Sequence, residues 1–158
     1  MDAGRQLLRH TVATLAYRGG KVLREAPDGF GGFKVAESTR TPLAILAHIN
    51  DLLDWAFHIT QGRQVWNDST PDRWEREIDR FFASLKRFDD VLASDQSLEF
   101  ASERLFQGPI ADALTHVGQI GMLRRIAGSP VRGENYFKAN ITAGCVGNDQ
   151  PAPRREFD

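Results

Sequence analysis

The chain has almost no cysteine, no long apolar run and no apolar block at its beginning. Cys145 is the single cysteine among 158 residues, so no disulfide can form within the chain, as is usual in a reducing cytoplasm. The first residues, MDAGRQLLRHT, lack the apolar region of a signal peptide, and no stretch is long and apolar enough to span a membrane. We therefore expect a cytoplasmic protein without a membrane partner, folded as one domain over residues 1–158.

The chain also lacks an excess of charge of either sign. Lysine and arginine number 20, aspartate and glutamate number 21, and the net charge at pH 7 is −1. Proteins that bind nucleic acid through its phosphates usually carry a strongly basic face. We therefore expect no nucleic acid partner.

Several motifs of known catalytic sites are absent. No Glu-x-x-His and no His-Glu-x-x-His sequence occurs, so the ligand pattern of di-iron carboxylate bundles and that of zinc proteases are both missing. The glycines of DGFGGF neither follow a strand pattern nor precede Gly-Lys-Ser/Thr, which argues against a phosphate-binding loop. Cys145 has no cationic residue beside it, and a lone thiol in such a sequence is a poor candidate for a nucleophile.

Apolar residues recur at helical spacing along most of the chain, and the alternation typical of strands is nearly missing. The first predicted helix runs from about Arg5 to about Glu25. It passes through Gly19 and Gly20, although each glycine costs about 1 kcal/mol relative to alanine in a helix interior. A glycine-rich loop is predicted over residues 26–40.

The second and third helices are both predicted to begin at a Thr-Pro pair. Thr41 is a cap residue and Pro42 occupies the first helical position of a helix that runs to Gly62. Thr70 and Pro71 repeat this pair at the start of the third helix. The core stripe of the third helix is predicted to be Trp74, Ile78, Phe81, Leu85, Phe88 and Leu92.

The fourth helix is predicted over PIADALTHVGQIGMLRRIAGSP, with Pro109 in its first turn and a stop at Gly128. A short helix over residues 99–106 precedes it, and a further helical turn is predicted within residues 134–140. The predicted core positions of the fourth helix are Ile110, Ala113, Val117, Ile120 and Leu123.

Four amphipathic helices favour an all-α fold, a four-helix bundle. The loop between its first two helices is long. The bundle core is predicted over about residues 5–127, followed by a C-terminal segment and charged tail over 128–158.

Polar residues beside the apolar stripes are the candidates for a site. Asp112, His116 and Gln119 share one stripe of the fourth helix, and an acid and an imidazole four residues apart can share a metal ion. His48 points toward the interior from the second helix. Two of these residues also have a structural interpretation. His48 can be a hydrogen-bonded core histidine, and Asp112 can be an acid at the positive end of a helix dipole.

The pairing of LAHINDLLDW with THVGQIGMLRRIAG resembles the DinB superfamily, which includes the YfiT-like metalloenzymes. His116, Gly118, Gln119 and Ile120 match part of the family's His-Arg-Gly-Gln-Ile-like run. The resemblance implies an up-down-down-up bundle, a homodimer and a divalent metal held by three histidines. By this resemblance His48 and His116 match two ligands, and Asp112 stands where the family has its third.

The resemblance implies a metal-dependent enzyme for a small-molecule substrate. With two histidines and one carboxylate the site would suit Zn, Ni, Mn or Fe. By resemblance, the activity would be that of an S-transferase using a low-molecular-weight thiol, or of a hydrolase. Asp112 would be a ligand or general base, and Gln119 would orient a ligand or substrate. The replacement by Asp112 equally allows a branch that kept the fold and lost tight metal binding.

Two other groups of residues have functional and structural interpretations. Arg124, Arg125 and Lys138 can receive an anionic substrate or simply form a cationic helix end and surface. The competing function is non-catalytic: a bundle that dimerises or binds a partner, with a contribution from the tryptophans. These are Trp55, Trp66 and Trp74.

Overall fold

The structure is a computed structural model that describes residues 2–157, and its long elements are all helices. The predicted all-α bundle is confirmed. A π-helical segment, Phe106–Ile110, joins the fourth and fifth helices, and two 3₁₀ turns lie at Phe30–Gly32 and Tyr136–Lys138. The helices are α1 (Ala3–Leu23), α2 (Pro42–Thr60), α3 (Trp74–Ala93), α4 (Ser102–Leu105) and α5 (Ala111–Ile126).

The four long helices have an up-down-down-up arrangement. Helices α3 and α5 each pack against both α1 and α2. Along these seams α2 and α3 are parallel, whereas α1–α3 and α2–α5 are antiparallel. For α2 and α3 the direction follows from the contacts of Asn50 with Glu77 and of Asp54 with Ser84. For α1 and α3 it follows from Arg9 with Asp89 and Gly19 with Phe81. For α2 and α5 it follows from His48 with His116 and Trp55 with Gly108.

Because α2 and α3 are parallel, the chain must return along the bundle between them. Residues 61–73 make this crossover without a helix or strand. An extended chain covers about 3.3 Å per residue, whereas a helix rises about 1.5 Å per residue, so this stretch easily spans the length of α3. The crossover passes the seam between α2 and α5, which becomes important for the site.

Helix α1 continues through its glycine pair, as predicted. A neighbouring aromatic ring occupies the space that a side chain at Gly19 would need. A Cβ built on Gly19 would lie 2.5 Å from Cζ of Phe81, which is fully buried in the core. The core positions of the predicted fourth helix, which corresponds to the π segment and α5 of the structure, are all buried. In α3 the four later positions of the predicted stripe are buried, and Trp74 and Ile78 pack against them with partial exposure.

The predicted beginnings of the last two long helices are wrong. Helix α3 begins at Trp74 rather than at Pro71, because the backbone N–H of Asp72 donates to Glu77 Oε1 at 3.0 Å and Arg73 has an extended backbone conformation. Pro109 does not start a helix but lies inside the π segment, whose wider turn accommodates a residue without an N–H. The predicted short helix over 99–106 begins only at Ser102 and continues through this segment into α5.

The C-terminal segment folds back on the bundle. Glu134 and Glu156 form an antiparallel bridge. The Glu134 carboxylate is fully buried and accepts hydrogen bonds from Tyr17 Oη at 2.7 Å and from Lys21 Nζ at 2.8 Å. The helical turn predicted within 134–140 is a single 3₁₀ turn, Tyr136–Lys138.

Across residues 2–157, none of the helices combines the length and the apolar character needed to cross a bilayer.

Candidate metal centre

His48, Asp112 and His116 meet at the seam between α2 and α5. One potential donor atom from each side chain lies within 4.8 Å of the others. Asp112 Oδ2 is 3.9 Å from His48 Nε2, and Asp112 Oδ1 is 3.4 Å from His116 Nε2. The two imidazole rings meet edge to face with centroids 4.8 Å apart. The carboxylate therefore lies between two imidazole nitrogens.

The helices place the three side chains for different reasons. Asp112 and His116 are one turn apart on α5, so they point to the same side of that helix. His48 comes to the same level because α2 and α5 are antiparallel. Asp112 does not lie at a free helix end: the helical run begins at Ser102 and passes through the π segment without interruption. Asp112 thus lies in the first turn of α5, as its structural interpretation has it, but the N-terminal end of the whole helical run lies at Ser102.

A hydrogen bond orients the His116 ring. His116 Nδ1 lies 2.8 Å from Gln119 Oε1, and an amide oxygen only accepts, so Nδ1 carries the proton. In the neutral form of the ring, the lone pair then lies on Nε2, which faces Asp112. An outward bond of this kind is what fixes the tautomer of most metal-binding histidines. The resemblance implied that Gln119 orients a ligand or substrate, and the structure shows its contact with His116.

The burial of the three side chains is uneven. His116 is 13% exposed, His48 is 22% exposed and Asp112 is 48% exposed, so the imidazoles line a partly covered position that solvent reaches from the side of the acid. Burial lowers the pKa of His48, and the nearby charges of His116 and Arg40 lower it further, against the opposing effect of Asp112 and Asp51. The lowered pKa favours the neutral form of the His48 imidazole at neutral pH.

Aromatic packing orients the His48 ring. The Trp66 ring meets it at 66° with centroids 5.6 Å apart, and Trp55 meets Trp66 at 87° with centroids 6.0 Å apart. Trp66 belongs to the crossover, which is anchored where Asp51 Oδ2 accepts the Ser69 N–H at 3.0 Å. Sequence reasoning did not place Trp66 at the site, because nothing local to the sequence says over which helices a crossover passes.

The other predicted functional groups separate in the structure. Trp74 packs edge to face on Phe30, apart from the other two tryptophans. Arg125 and Lys138 are exposed, His10 is exposed, and His58 is half-buried.

Arg124 is structural and does not face a substrate. It is buried, at 4% exposure, and its guanidinium donates to the carbonyl groups of Val22, Arg24 and Glu25 at 2.9–3.2 Å. These carbonyls lie at and beyond the C-terminal end of α1, where intrahelical partners run out. The interpretation of Arg124 as an anion receptor is therefore wrong.

Comparison of the chain with protein-family models, with curated proteins and with solved structures finds no match. The functional argument therefore rests on the geometry of the site.

Two imidazole nitrogens and one carboxylate oxygen are the donors of many transition-metal sites in enzymes. Such a set occupies one side of the ion and leaves positions open to small molecules. The protein contributes a hydrogen bond that orients His116, a His48 whose pKa is lowered by burial, and a carboxylate between the two rings. These features fit a divalent transition metal and leave one side of the site accessible.

Proposed function

We propose that His48, Asp112 and His116 hold a divalent transition metal and that the protein is a metal-dependent enzyme. The observation that carries the proposal is the convergence of three donors from two helices within 4.8 Å, with Gln119 on the far nitrogen of His116. Convergence alone also occurs in structural ion pairs. A second oriented contact behind a donor is what a metal ligand needs and a surface ion pair does not.

The chemistry of the donor atoms limits which metal ions suit the site. Imidazole nitrogen suits Zn, Ni and Fe, and a carboxylate adds affinity for Mn and Fe. Thiolate ligands are missing from the group, which argues against a purely structural zinc site of the cysteine-rich kind. Zn, Ni, Mn and Fe(II) are therefore the ions to test.

The reaction class that suits such a site is transfer or hydrolysis. A bound divalent metal would supply a Lewis acid able to activate a thiol or a water molecule. Asp112 is half exposed and has two oxygens, so it can serve as a ligand and can also accept a proton from an incoming group. The resemblance to the DinB superfamily adds support for a low-molecular-weight thiol as cosubstrate, and hence for an S-transferase, with a hydrolase as the other possibility.

The direct test is metal binding by the purified protein. Metal content and affinity are measured after loading with Zn, Ni, Mn and Fe(II) for the parent, His116→Ala and Asp112→Ala. His10→Ala is the control, since His10 is an exposed histidine on α1. We expect about one metal per chain in the parent and in the control and a large loss in both site variants. No metal in the folded parent, or equal binding by the site variants, would refute the proposal.

A second candidate function is self-association, because large apolar side chains are exposed on one side of the molecule. Met122 is 54% exposed and Ile126 is 53% exposed one turn later on α5. Phe157 is 48% exposed and lies with Met122 on one shallow groove of about 380 Å³. Clusters of this kind often mark interfaces. Light scattering over a concentration range tests the homodimer, and Met122→Asp is expected to reduce it to monomer.

A further inference from the structure

An aromatic surface adjoins the candidate metal centre without contributing a donor atom to it. Trp66 contacts the His48 ring and is 41% exposed, although it is a large apolar side chain. Trp55 beside it is half-buried and lies over the backbone of the π segment, where a Cβ on Gly108 would be 3.7 Å from the indole. The two indoles thus extend the site along the α2–α5 seam.

Hydrogen bonds hold this surface in place. Trp66 Nε1 donates to Asp68 Oδ1 at 3.1 Å, and Trp55 Nε1 donates to Gln64 Oε1 at 3.3 Å. Ser69 is anchored to α2 by its backbone N–H. The crossover is therefore fixed on both sides of Trp66. A rigid, partly exposed aromatic side chain provides contact area at a low entropic cost, which is typical of ligand-binding surfaces.

The arrangement differs from that of an aromatic side chain that only fills the core. Trp74, at the start of α3, packs edge to face on Phe30 with centroids 5.5 Å apart, and Phe30 is buried. Trp66 instead keeps a large exposed area while its ring touches a donor side chain. Among the three tryptophans, Trp66 is the one with a recorded ring contact to a donor side chain, and Trp55 contacts Trp66.

We propose that Trp66, with Trp55 beside it, determines the specificity of the metal centre. The indoles receive the apolar or aromatic part of a small molecule whose polar end reaches His48, Asp112 and His116. The inference rests on the proposed function and adds its substrate class: a compound with a metal-binding polar group attached to an apolar or aromatic body. A purely hydrophilic small molecule would leave the exposed indole surface in water.

The test compares two probes with the same metal-binding group. Acetohydroxamate and benzohydroxamate both present a hydroxamate, and they differ in a methyl against a phenyl group. Their dissociation constants are measured on Co²⁺-loaded protein from the visible absorption of the ion. The ratio of the two constants cancels any change in how well the protein holds the metal.

We expect benzohydroxamate to bind more tightly to the parent, and Trp66→Ala to reduce this preference by about 2- to 12-fold, the range of one aromatic pair. Trp66→Gln, which keeps side-chain length, should lose the preference as well, and Trp66→Phe should retain most of it. Phe137→Ala is the control, because Phe137 is 96% exposed on the C-terminal segment.

The outcomes separate this inference from the proposed function. A parent protein that shows no Co²⁺ spectrum overturns the proposed function and the inference with it. A normal Co²⁺ spectrum with an equal probe ratio in the parent, Trp66→Ala and Trp66→Gln overturns the inference alone. Loss of the preference in Phe137→Ala would also overturn it, since the effect would then not belong to the indole surface.

Discussion

Replacement of two helical glycines by alanine is expected to have opposite effects on stability. Gly19 lies in α1 and Gly118 in α5, and in each helix alanine gains about 1 kcal/mol over glycine. A Cβ on Gly19 would lie 2.5 Å from Cζ and 2.9 Å from Cε1 of Phe81, whereas a Cβ on Gly118 would have no atom within 4 Å outside its own helix. Gly118→Ala should therefore stabilise the protein and Gly19→Ala should not.

The magnitude follows from the space around Phe81. Carbon atoms in contact normally lie about 3.5–4.0 Å apart, so the ring or the helix must shift by about 1 Å to accept the new methyl group. Phe81 is fully buried, and overpacking of a filled core typically costs about 1–3 kcal/mol. Since the helix-propensity gain is common to both variants, the difference between their stabilities is the overpacking cost.

The assay is urea unfolding followed by far-ultraviolet circular dichroism at 25 °C. The free energy of unfolding should rise by about 1 kcal/mol in Gly118→Ala. In Gly19→Ala it should be about 1–3 kcal/mol lower than in Gly118→Ala, with an unchanged dependence on urea. Equal stabilities of the two variants would refute the reasoning, since α1 and α3 would then not be packed as closely as the structure has them.

Two further predictions concern polar contacts. Gln119→Leu removes the acceptor of the His116 Nδ1 proton and should weaken metal binding by about 10- to 100-fold in a competition titration with a coloured chelator. Burial and the hydrogen bond to Glu134 raise the pKa of Tyr17 above its ordinary value of 10.0, and for Lys21 the hydrogen bonds to carboxylates outweigh burial and raise the pKa above 10.5. A group whose pKa is raised by folding stabilises the folded state at pH values below its unfolded-state pKa, and this stabilisation is lost as the pH rises. The melting temperature should therefore decline above about pH 10. The decline should be less steep in Glu134→Gln.

Each of these predictions has a matched control. Thr115→Ala changes an exposed side chain beside the site that bonds only within its own helix, and it should leave metal affinity unchanged. Glu103→Gln removes an exposed carboxylate and should keep the pH profile of the parent. Gln119→Leu with parental affinity, or a Glu134→Gln profile parallel to that of the parent above pH 10, would contradict the assignments.

Much of the fold was predictable because helical periodicity is a local property. The apolar stripe from Ile110 to Leu123 identifies the buried face of α5 and of the π segment before it. The same periodicity puts Asp112 and His116 on an adjoining stripe. Thr41 caps α2, with its Oγ1 accepting the Ala44 N–H at 3.2 Å. Two helix starts were mispredicted because proline at a first turn is a preference, which Pro71 and Pro109 do not follow.

The role of individual polar residues depended on contacts that local patterns do not contain. The position of Arg124 in the last turn of α5 is equally compatible with an exposed anion receptor and with the observed cap of α1. Trp66 lies in a stretch without periodicity, so its contact with His48 follows only from the path of the crossover. Both cases involve partners more than 15 residues away in the chain.

The sequence by itself determined which residues face inward, that the chain forms a helical bundle, and that Asp112 and His116 share one side of a helix. Only the tertiary structure decided that His48 lies level with them and that Trp66 lies against it. The physical reason is that periodicity specifies rotation about a helix axis. The direction of each helix and its offset along the axis are set by packing between helices and by the loops that connect them.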